Sequence, residues 1–524
     1  MSETLSATLE RPLRLFANCE AVIDGDQRWT YRELGRRVAA FDSALTELGL
    51  AAGDVVGVLG LNSAAHLVAW LAIPRSGRVL NDLNVRLAPA ELTFILNDCS
   101  ARVLLVDDAF LEVSRELAES CATVEHLIYI GAGATPDGCL SFVEMTAGEG
   151  APAASVDPED VAGIFYTGGT TGLPKGAMLT HRNLIANARH FLIALPYSDH
   201  DTYLHAAPMF HLADGSSTHA LTWVGGRHVM IPAFDPELWL RTVAAERVTR
   251  GTLVPSMINM VINHPALAEH DLSCLRSIYY GGSPMPGELL RRAMEVFDCE
   301  WGQLYGMTEA APVVTLLSAE DHRRGSSGEE PFRSRLHSAG RPVVGVEAQV
   351  RRADGAPAEA GEAGEVWVRG PNIMKGYWNR EEETKAVLDA DGWYHSGDAA
   401  YSDAEGYLFI VDRLKDMIVS GGENVYCTEV ENAIYRHPAV LECAVFGVPD
   451  ERWGERVHAA IVLRPGASVE EDAITEHCRA LIAGYKLPRS FDFGTEPLPK
   501  SGAGKILKRE LRGPYWVGQE RQVS

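Results

Sequence analysis

Short apolar runs that alternate with helical patterns constrain this chain more than any other feature. VVGVLG (55–60) and VLLVDD (103–108) are short and continuously apolar, which reads as buried strand, and helical patterns lie between them. Ahead of them, residues 30–49 form an amphipathic helix. Thr30 and Glu33 make a capping box, and Leu34, Val38, Phe41, Leu45 and Leu48 fall on one stripe. Such alternation predicts an α/β domain with a largely parallel sheet. At 524 residues the chain exceeds a single core and suggests about two to four folding units.

A smaller C-terminal α+β unit follows Asp412. The division is a large unit over 1–412, a short charged junction at 413–415 and a small unit over 416–524. In the small unit Thr428 and Glu431 cap a helix that ends before His437-Pro438. Alternating strands follow around Leu441–Val448 and Val457–Leu463, and Ser468 with Glu471 caps a second helix running toward Gly484. The polar stretch Ser318 to Gly340 reads as a surface loop or local boundary.

Charge narrows the partners. A net charge of −24 argues against nucleic acid or an anionic membrane, both of which need clustered cations. Nine scattered cysteines without a CxxC pair fit reduced thiols better than a disulfide framework or zinc site. The first residues lack the apolar run of a signal peptide, and no stretch approaches the roughly 18 apolar residues of a membrane span. The expected location is the cytoplasm. The oligomeric state is left open, a homodimer included.

Four segments carry chemistry. YTGGTTGLPKG, Tyr166 to Gly176, follows the strand-like VAGIF. Its glycines let backbone N–H groups approach a phosphate closely, while Thr167, Thr170 and Thr171 add hydroxyls and Lys175 adds a charge. It is not a Walker A loop, because Lys175 lies between Pro174 and Gly176. YGMTEAAP (305–312) offers Thr308 and the carboxylate of Glu309, and one carboxylate suffices for Mg²⁺ already held by ATP. HSGDAAYSDAEGYLFIVDRLKD (395–416) supplies Asp398 and Arg413, a carboxylate for ribose hydroxyls and a guanidinium for sugar or phosphate. PKSGAGKILKREL (499–511) places Lys505 in a Gly-rich loop that opens a basic helix. Taken singly, each has a plainer reading: a Gly-rich turn, a solvated Glu, ordinary turn charges, a basic tail.

In this order and spacing the four segments resemble the acyl-adenylate-forming superfamily of acyl-CoA synthetases, coumarate–CoA ligases, peptide-synthetase adenylation domains and firefly-type luciferases. The resemblance covers about Trp29 to Arg512. It implies that Thr167, Gly168, Gly169, Thr170, Thr171 and Lys175 form the phosphate-binding loop. Gly281, Gly282 and Ser283, with Gln303 to Thr308, match the adenine and acyl-adenylate pocket. Glu309 matches the magnesium carboxylate, Asp398 and Arg413 the ribose contacts, and Lys415 the hinge. Ser420, Gly421, Gly422 and Glu423 match the loop lining the thiol tunnel, and Lys505 the catalytic lysine of the small, mobile domain.

The implied activity is that of an ATP-dependent acyl-CoA synthetase using ATP, Mg²⁺ and coenzyme A, in which a carboxylic acid becomes acyl-AMP and then a thioester. The chain departs from the common pattern at Gly168, where Ser is frequent, and at Val419, where coumarate ligases and luciferases carry lysine. Residues 77–84, GRVLNDLN, also replace a common Pro-Leu-Asn wording and look more like fatty acyl-CoA synthetases. His211 resembles the gate or wall of the acyl pocket, and Ala213, Leu304, Ala310 and Ala311 would leave a roomy apolar cavity. No Arg or Lys stands there for a second carboxylate, so a medium- to long-chain fatty acid or a bulky aryl or alicyclic monocarboxylic acid is expected. Asp214 is either a specificity group or a buried hydrogen-bonder. The alternatives are an enzyme loading an acyl carrier protein, a P-loop kinase or ATPase, and a noncatalytic scaffold. The last would be expected to have lost Lys505 or Glu309.

Overall fold

The computed structural model describes residues 3–167, 174–413, 416–420, 423–450, 452–500 and 506–517. Among them the expected alternation folds into two large sheets. In one, Val55–Leu59 lies parallel between Val79–Asp82 and Val103–Val106, and Val161–Thr167 with Lys175–Thr180 extends the far side as an antiparallel pair. Every residue of Val55–Leu59 is buried, as a strand covered on both faces requires. The other sheet runs Arg341–Pro342, Val313–Leu317, Glu300–Gly306, Ser277–Gly281, Arg250–Leu253, Thr202–His205, Arg227–Met230, Glu20–Asp24 and Gln27–Thr30. Its centre is parallel and its two ends are antiparallel.

The main core holds Tyr31, Phe41, Trp70, Phe165, Phe191 and Tyr203, and a second packs Trp239, Leu240, Tyr280 and Trp301 under the other sheet. A four-stranded antiparallel sheet follows: Glu347–Arg351, Gly364–Arg369, Tyr394–Ser402 and Leu408–Arg413. Beyond it, Ile418–Ser420, Glu423–Val425, Val440–Asp450, Gly454–Leu463 and Ser490–Gly494 form a separate sheet. Its core of Ile418, Val430, Ile434, Val445, Val457, Ile461 and Ile474 is drawn from this region alone. The chain thus carries a large N-terminal body and a smaller C-terminal one.

Local expectations fare unevenly. The helix Tyr31–Glu47 has both halves of its Thr30/Glu33 capping box, with Leu34, Val38, Phe41 and Leu45 fully buried. The stretch 318–340 is largely not loop. Ser318 and Asp321 form a capping box on the helix Ala319–Ser326, and a short helix covers Phe332–Arg335. His322 accounts for the difference: it is buried against the Tyr280 hydroxyl at 2.9 Å, a tertiary contact that polar composition conceals. In the small unit the helix Cys427–Tyr435 begins after Tyr426 without a side-chain cap. Glu431, expected to cap it, instead accepts from the Val445 amide at 2.8 Å and pairs with Lys508. The next helix is Glu471–Arg479, starting after Glu470 rather than Ser468 and stopping well short of Gly484. No helix among the described residues is long and apolar enough to cross a membrane.

Candidate active site

The ends of several strands meet where the sequence places its chemistry. Thr167 closes one strand and Lys175 opens its antiparallel partner, and the two are paired across the ladder. Gly168, Gly169, Thr170 and Thr171 lie outside the described residues. The base of this hairpin is pinned from below. The Tyr166 hydroxyl donates to Asp98 at 2.6 Å, and Asp98 also accepts from Arg380 at 3.1 Å.

Lys175 Nζ sits 5.4 Å from the ring centroid of Tyr377 and 4.0 Å from Glu383. The hydroxyl of that tyrosine donates to Glu309 Oε1 at 2.8 Å. Glu309 stands on the turn Thr308–Ala310 and is only 8% exposed. Its own carbonyl accepts from the Met374 amide at 2.8 Å, so the turn and the segment bearing Tyr377 are locked together. Burial and the Glu309 charge push the neighbouring Tyr394 hydroxyl well above its ordinary pKa. Glu309 could therefore hold a divalent cation. Among the described residues no group of three or more His, Cys, Asp or Glu gathers as a metal cage. A lone carboxylate fits a cation whose other ligands are phosphate oxygens and water.

The residues expected to face the nucleotide are equally placed by backbone. Gly281 ends its strand beside Leu304, where an added Cβ would come within 2.3 Å of the Leu304 carbonyl oxygen. Gly282 follows with φ +76°, a left-handed turn that glycine takes without strain. Ser283 comes next, and Gln303, one strand over, accepts from the Tyr280 hydroxyl at 3.3 Å. Asp398 accepts from the Tyr305 hydroxyl at 2.7 Å and pairs across the ladder with Arg413. This connects the third and second motifs directly.

His211 precedes the short helix Leu212–Gly215, and its Nδ1 accepts from the Ala213 amide at 3.1 Å. Burial drops its pKa to about 4. At neutral pH the ring is uncharged, and with Nδ1 occupied as an acceptor the proton resides on Nε2. A cavity of about 50 Å³ opens beside it, with Asp82, Leu87, Tyr166, Phe210 and Thr308 among its walls. The expected roomy cavity bounded by small residues is not what this space shows. Ala310 and Ala311 are fully buried in the main core, and Leu304 packs against that core. Ala213 serves as the His211 anchor. Asp214 proves structural: it is fully buried, accepts from Tyr203 at 3.0 Å and bonds the His205 ring at 2.6 Å.

In the small unit Ser420 pairs with Glu423 and with Gly454. Gly421 and Gly422 lie outside the described residues, as do Lys415 and Lys505. The segment carrying Lys505 is bounded by an antiparallel bridge from Lys500 to Ile506 and by the Leu507 amide donating to Pro499 at 2.8 Å.

Sequence reasoning passed over Tyr377 and Asp98, and it placed Tyr305 in the nucleotide pocket without its bond to Asp398. Tyr377 had a signal available: it follows Gly376 in MKGYW (374–378), and Gly376 opens the strand Gly376–Tyr377 at φ +144°, a conformation that favours glycine. Asp82 was also missed. Its side chain is fully buried, yet it takes a hydrogen bond from Trp70 Nε1 at 2.7 Å and bonds His66 Nε2 at 2.8 Å.

A family model described as AMP-binding enzyme matches residues 9–378, and one described as AMP-binding enzyme C-terminal domain matches residues 429–505. A feruloyl-CoA synthase from Amycolatopsis sp is 41% identical over 504 residues, covering 96% of this chain and 97% of that protein. A long-chain-fatty-acid–CoA ligase from Thermus thermophilus is 37% identical, covering 97% and 94%. The crystal structure of the anthranilate CoA ligase AuaEII in complex with anthranoyl-AMP superposes with a TM-score of 0.90 at 29% identity, over 98% of this chain and 99% of that one.

Proposed function

The chain belongs to the AMP-binding enzyme family, and on that premise we propose that it activates a monocarboxylic acid with ATP and passes the acyl group to coenzyme A. It is an AMP-forming acid–thiol ligase. A carboxylate oxygen attacks the α-phosphorus of ATP, pyrophosphate leaves, and the resulting acyl-AMP is a mixed anhydride. The CoA sulfur then attacks its acyl carbon and AMP departs.

The first step brings anions together, so cations must be in place before charge builds at phosphorus. Lys175 and the amides of the glycine-rich segment 167–176 would hold the β- and γ-phosphates, and Lys505 would reach the α-phosphate and acyl oxygen. Asp398 and Arg413 would take the ribose, while Gly281 and Gly282 let the backbone lie flat against adenine. Mg²⁺ at Glu309 would neutralise phosphate charge as a Lewis acid. Thr308 would donate its hydroxyl to the phosphate. His211, neutral and protonated on Nε2, would donate to the acyl carboxylate rather than act as a base.

A single observation carries the reading: Tyr377 takes the Lys175 cation over its ring and binds Glu309 through its hydroxyl, bringing two motifs far apart in sequence to one point. A monocarboxylate is favoured because the cavity beside His211 has no Lys or Arg among its described walls. Fatty, aryl and alicyclic acids remain the candidate classes. The nine free thiols fit a reducing compartment, so we assign the enzyme to the cytoplasm.

The test is acid-dependent pyrophosphate exchange over a panel of these acids, followed by thioester formation with free CoA and, in parallel, with a phosphopantetheinylated carrier protein. Exchange with thioester on CoA is expected. Transfer to the carrier alone would sink the CoA assignment, and no exchange with any acid would sink the activity.

A further inference from the structure

The large and small units enclose a second, larger space of about 420 Å³. One wall is the helix Gly287–Val296, which brings Glu288 and Arg292. The other is the small unit, which brings Arg436 and His437 from before the strand Val440–Asp450 and Arg464 from just after the strand Gly454–Leu463. This is the open end of that hairpin. Ser420, which precedes the glycine pair at 421–422, is paired with Gly454 at the opposite end, so a strand of this length puts about 30 Å between the two places.

The charges here do not balance. Glu288 is the one carboxylate among the lining residues, and both its oxygens already accept from Arg291, at 3.0 and 2.6 Å. Arg292 donates to the neutral side chain of Asn263 at 2.8 Å. The guanidinium groups of Arg436 and Arg464 make no hydrogen bond or ion pair among the described residues. Arg464 is half-buried, and burial together with the Arg292 charge pushes its pKa below the ordinary value, against a smaller opposing pull from Glu288. Arg436 in turn acts on His337, whose pKa is lowered by burial and by that cation. Three arginines thus line one cleft, two of them close enough for their charges to act on each other, in a chain with 71 acidic and 47 basic residues. Like charges held together this way destabilise the pose unless an anion joins them. Arginine presents a planar fork of donors that matches phosphate oxygens two at a time.

We propose that this cleft binds a small anion carrying two or more phosphate groups, either free pyrophosphate or the phosphates of a nucleotide. Its walls come from both units, so a bound anion ties them together. The site is separate from the one proposed for catalysis and does not depend on that reading.

The experiment is calorimetric titration of the full chain, in metal-free buffer at low salt, with inorganic pyrophosphate and in parallel with adenosine 3′,5′-bisphosphate. Wild type is compared with Arg464→Gln, Arg436→Gln and Lys175→Gln. Lys175→Gln weakens any binding at the catalytic site and should leave the cleft intact. We expect a saturable event that survives Lys175→Gln and weakens at least ten-fold in Arg464→Gln and in the exposed-site variant Arg436→Gln. The tighter of the two probes identifies the source of the phosphates. Arg464→Gln should also raise Tm in phosphate-free buffer, because a repulsion is removed, whereas pyrophosphate should raise the Tm of the wild type and of Lys175→Gln more than that of Arg464→Gln. Unchanged pyrophosphate affinity in both arginine variants, or a single event that disappears in Lys175→Gln, would overturn the proposal.

Discussion

The Tyr377 hydroxyl donates to Glu309 Oε1 at 2.8 Å while its ring lies 5.4 Å beneath the Lys175 ammonium. Tyr377 is 7% exposed, so this bond is made away from bulk water. It fixes one oxygen of the candidate metal carboxylate and leaves the ring in place under the cation. A hydrogen bond to a charged group contributes about 1.5–3 kcal/mol. Tyr377→Phe keeps the ring and deletes the donor, and should slow acyl-AMP formation about ten- to a hundred-fold. It should also shift the Mg²⁺ dependence of pyrophosphate exchange to higher concentration. Glu309→Gln should cost more, about 10²–10³ in rate. An unshifted Mg²⁺ titration in Tyr377→Phe would detach the tyrosine from the metal site.

Gly281 should tolerate no side chain, because the added Cβ would stand 2.3 Å from the Leu304 carbonyl oxygen. The two strands are neighbours in a parallel ladder, so the backbone itself must move. Overpacking of this kind costs about 1–3 kcal/mol. Gly281→Ala should lower Tm and raise the KM for ATP. Gly251→Ala, in the same sheet, meets nothing nearer than 3.8 Å and serves as the control. Equal behaviour of the two variants would remove the close approach from the account.

Acid should unfold the chain through buried neutral histidines. His181, His190, His211 and His322 are lowered by burial to about 4, and His219 to about 3, from an ordinary 6.5. Once unfolded, each takes up a proton near pH 6.5. Stability is therefore full above that pH and falls as pH drops from about 6.5 toward 4. Five such rings together contribute a slope of about 6 kcal/mol per pH unit near pH 5. Asp24 and Asp107, raised by burial, oppose this at the acidic end. Neither ring nitrogen of His219 has a hydrogen-bond partner among the described residues. His219→Leu should thus preserve stability at pH 7 and flatten the slope by at most about a fifth, read from denaturant midpoints between pH 5 and 7. A slope identical to wild type would show that His219 titrates freely.

Legibility in the sequence followed the range of the interactions. Thr30 and Glu33 are three residues apart and bond only to each other, so their capping box could be read directly. The helix at 319–326 was hidden because His322 is paid for by Tyr280, 42 residues earlier. Glu431 looked like a cap until the fold offered it Val445 and Lys508. At the site, Asp398 and Glu309 were visible as motif carboxylates. Their tyrosine partners Tyr305 and Tyr377 were not, since a hydroxyl acquires a role only through what it touches, 93 and 68 residues away. Which alanines border the space beside His211 was hidden for the same reason: it depends on how the turn 308–311 packs, and Ala310 and Ala311 are buried in the main core.

Lys505 should divide the two half-reactions. Its cation is needed while charge builds at phosphorus and far less once acyl-AMP exists. Losing one such contact costs about 10²–10³ in rate. Lys505→Ala should be poor from acid plus ATP, yet still convert supplied acyl-AMP and CoA to thioester. Equal damage to both steps would make the lysine structural.

Lys415 should govern the passage between those steps. Arg413 is the last residue of a strand paired to Asp398 in the large unit. Asp416 is held on the other side, with Arg512 3.5 Å from its carboxylate and the Cys427 thiol donating to its carbonyl at 3.3 Å. Two anchored ends belonging to different sheets leave residues 414–415 to absorb any rotation of the small unit. A hinge takes up such motion as a large φ/ψ change at a few residues. Proline holds φ near roughly −65° and restricts the residue before it, so Lys415→Pro should permit one pose only. Adenylation requires Lys505 in the site and thiol transfer requires it withdrawn. We expect Lys415→Pro to spare acid-dependent pyrophosphate exchange and to abolish most thioester formation. Lys415→Ala frees the backbone and should be much milder, which separates geometry from charge. Thioester formation at the wild-type rate in the proline variant would place the hinge elsewhere, and the unit boundary with it.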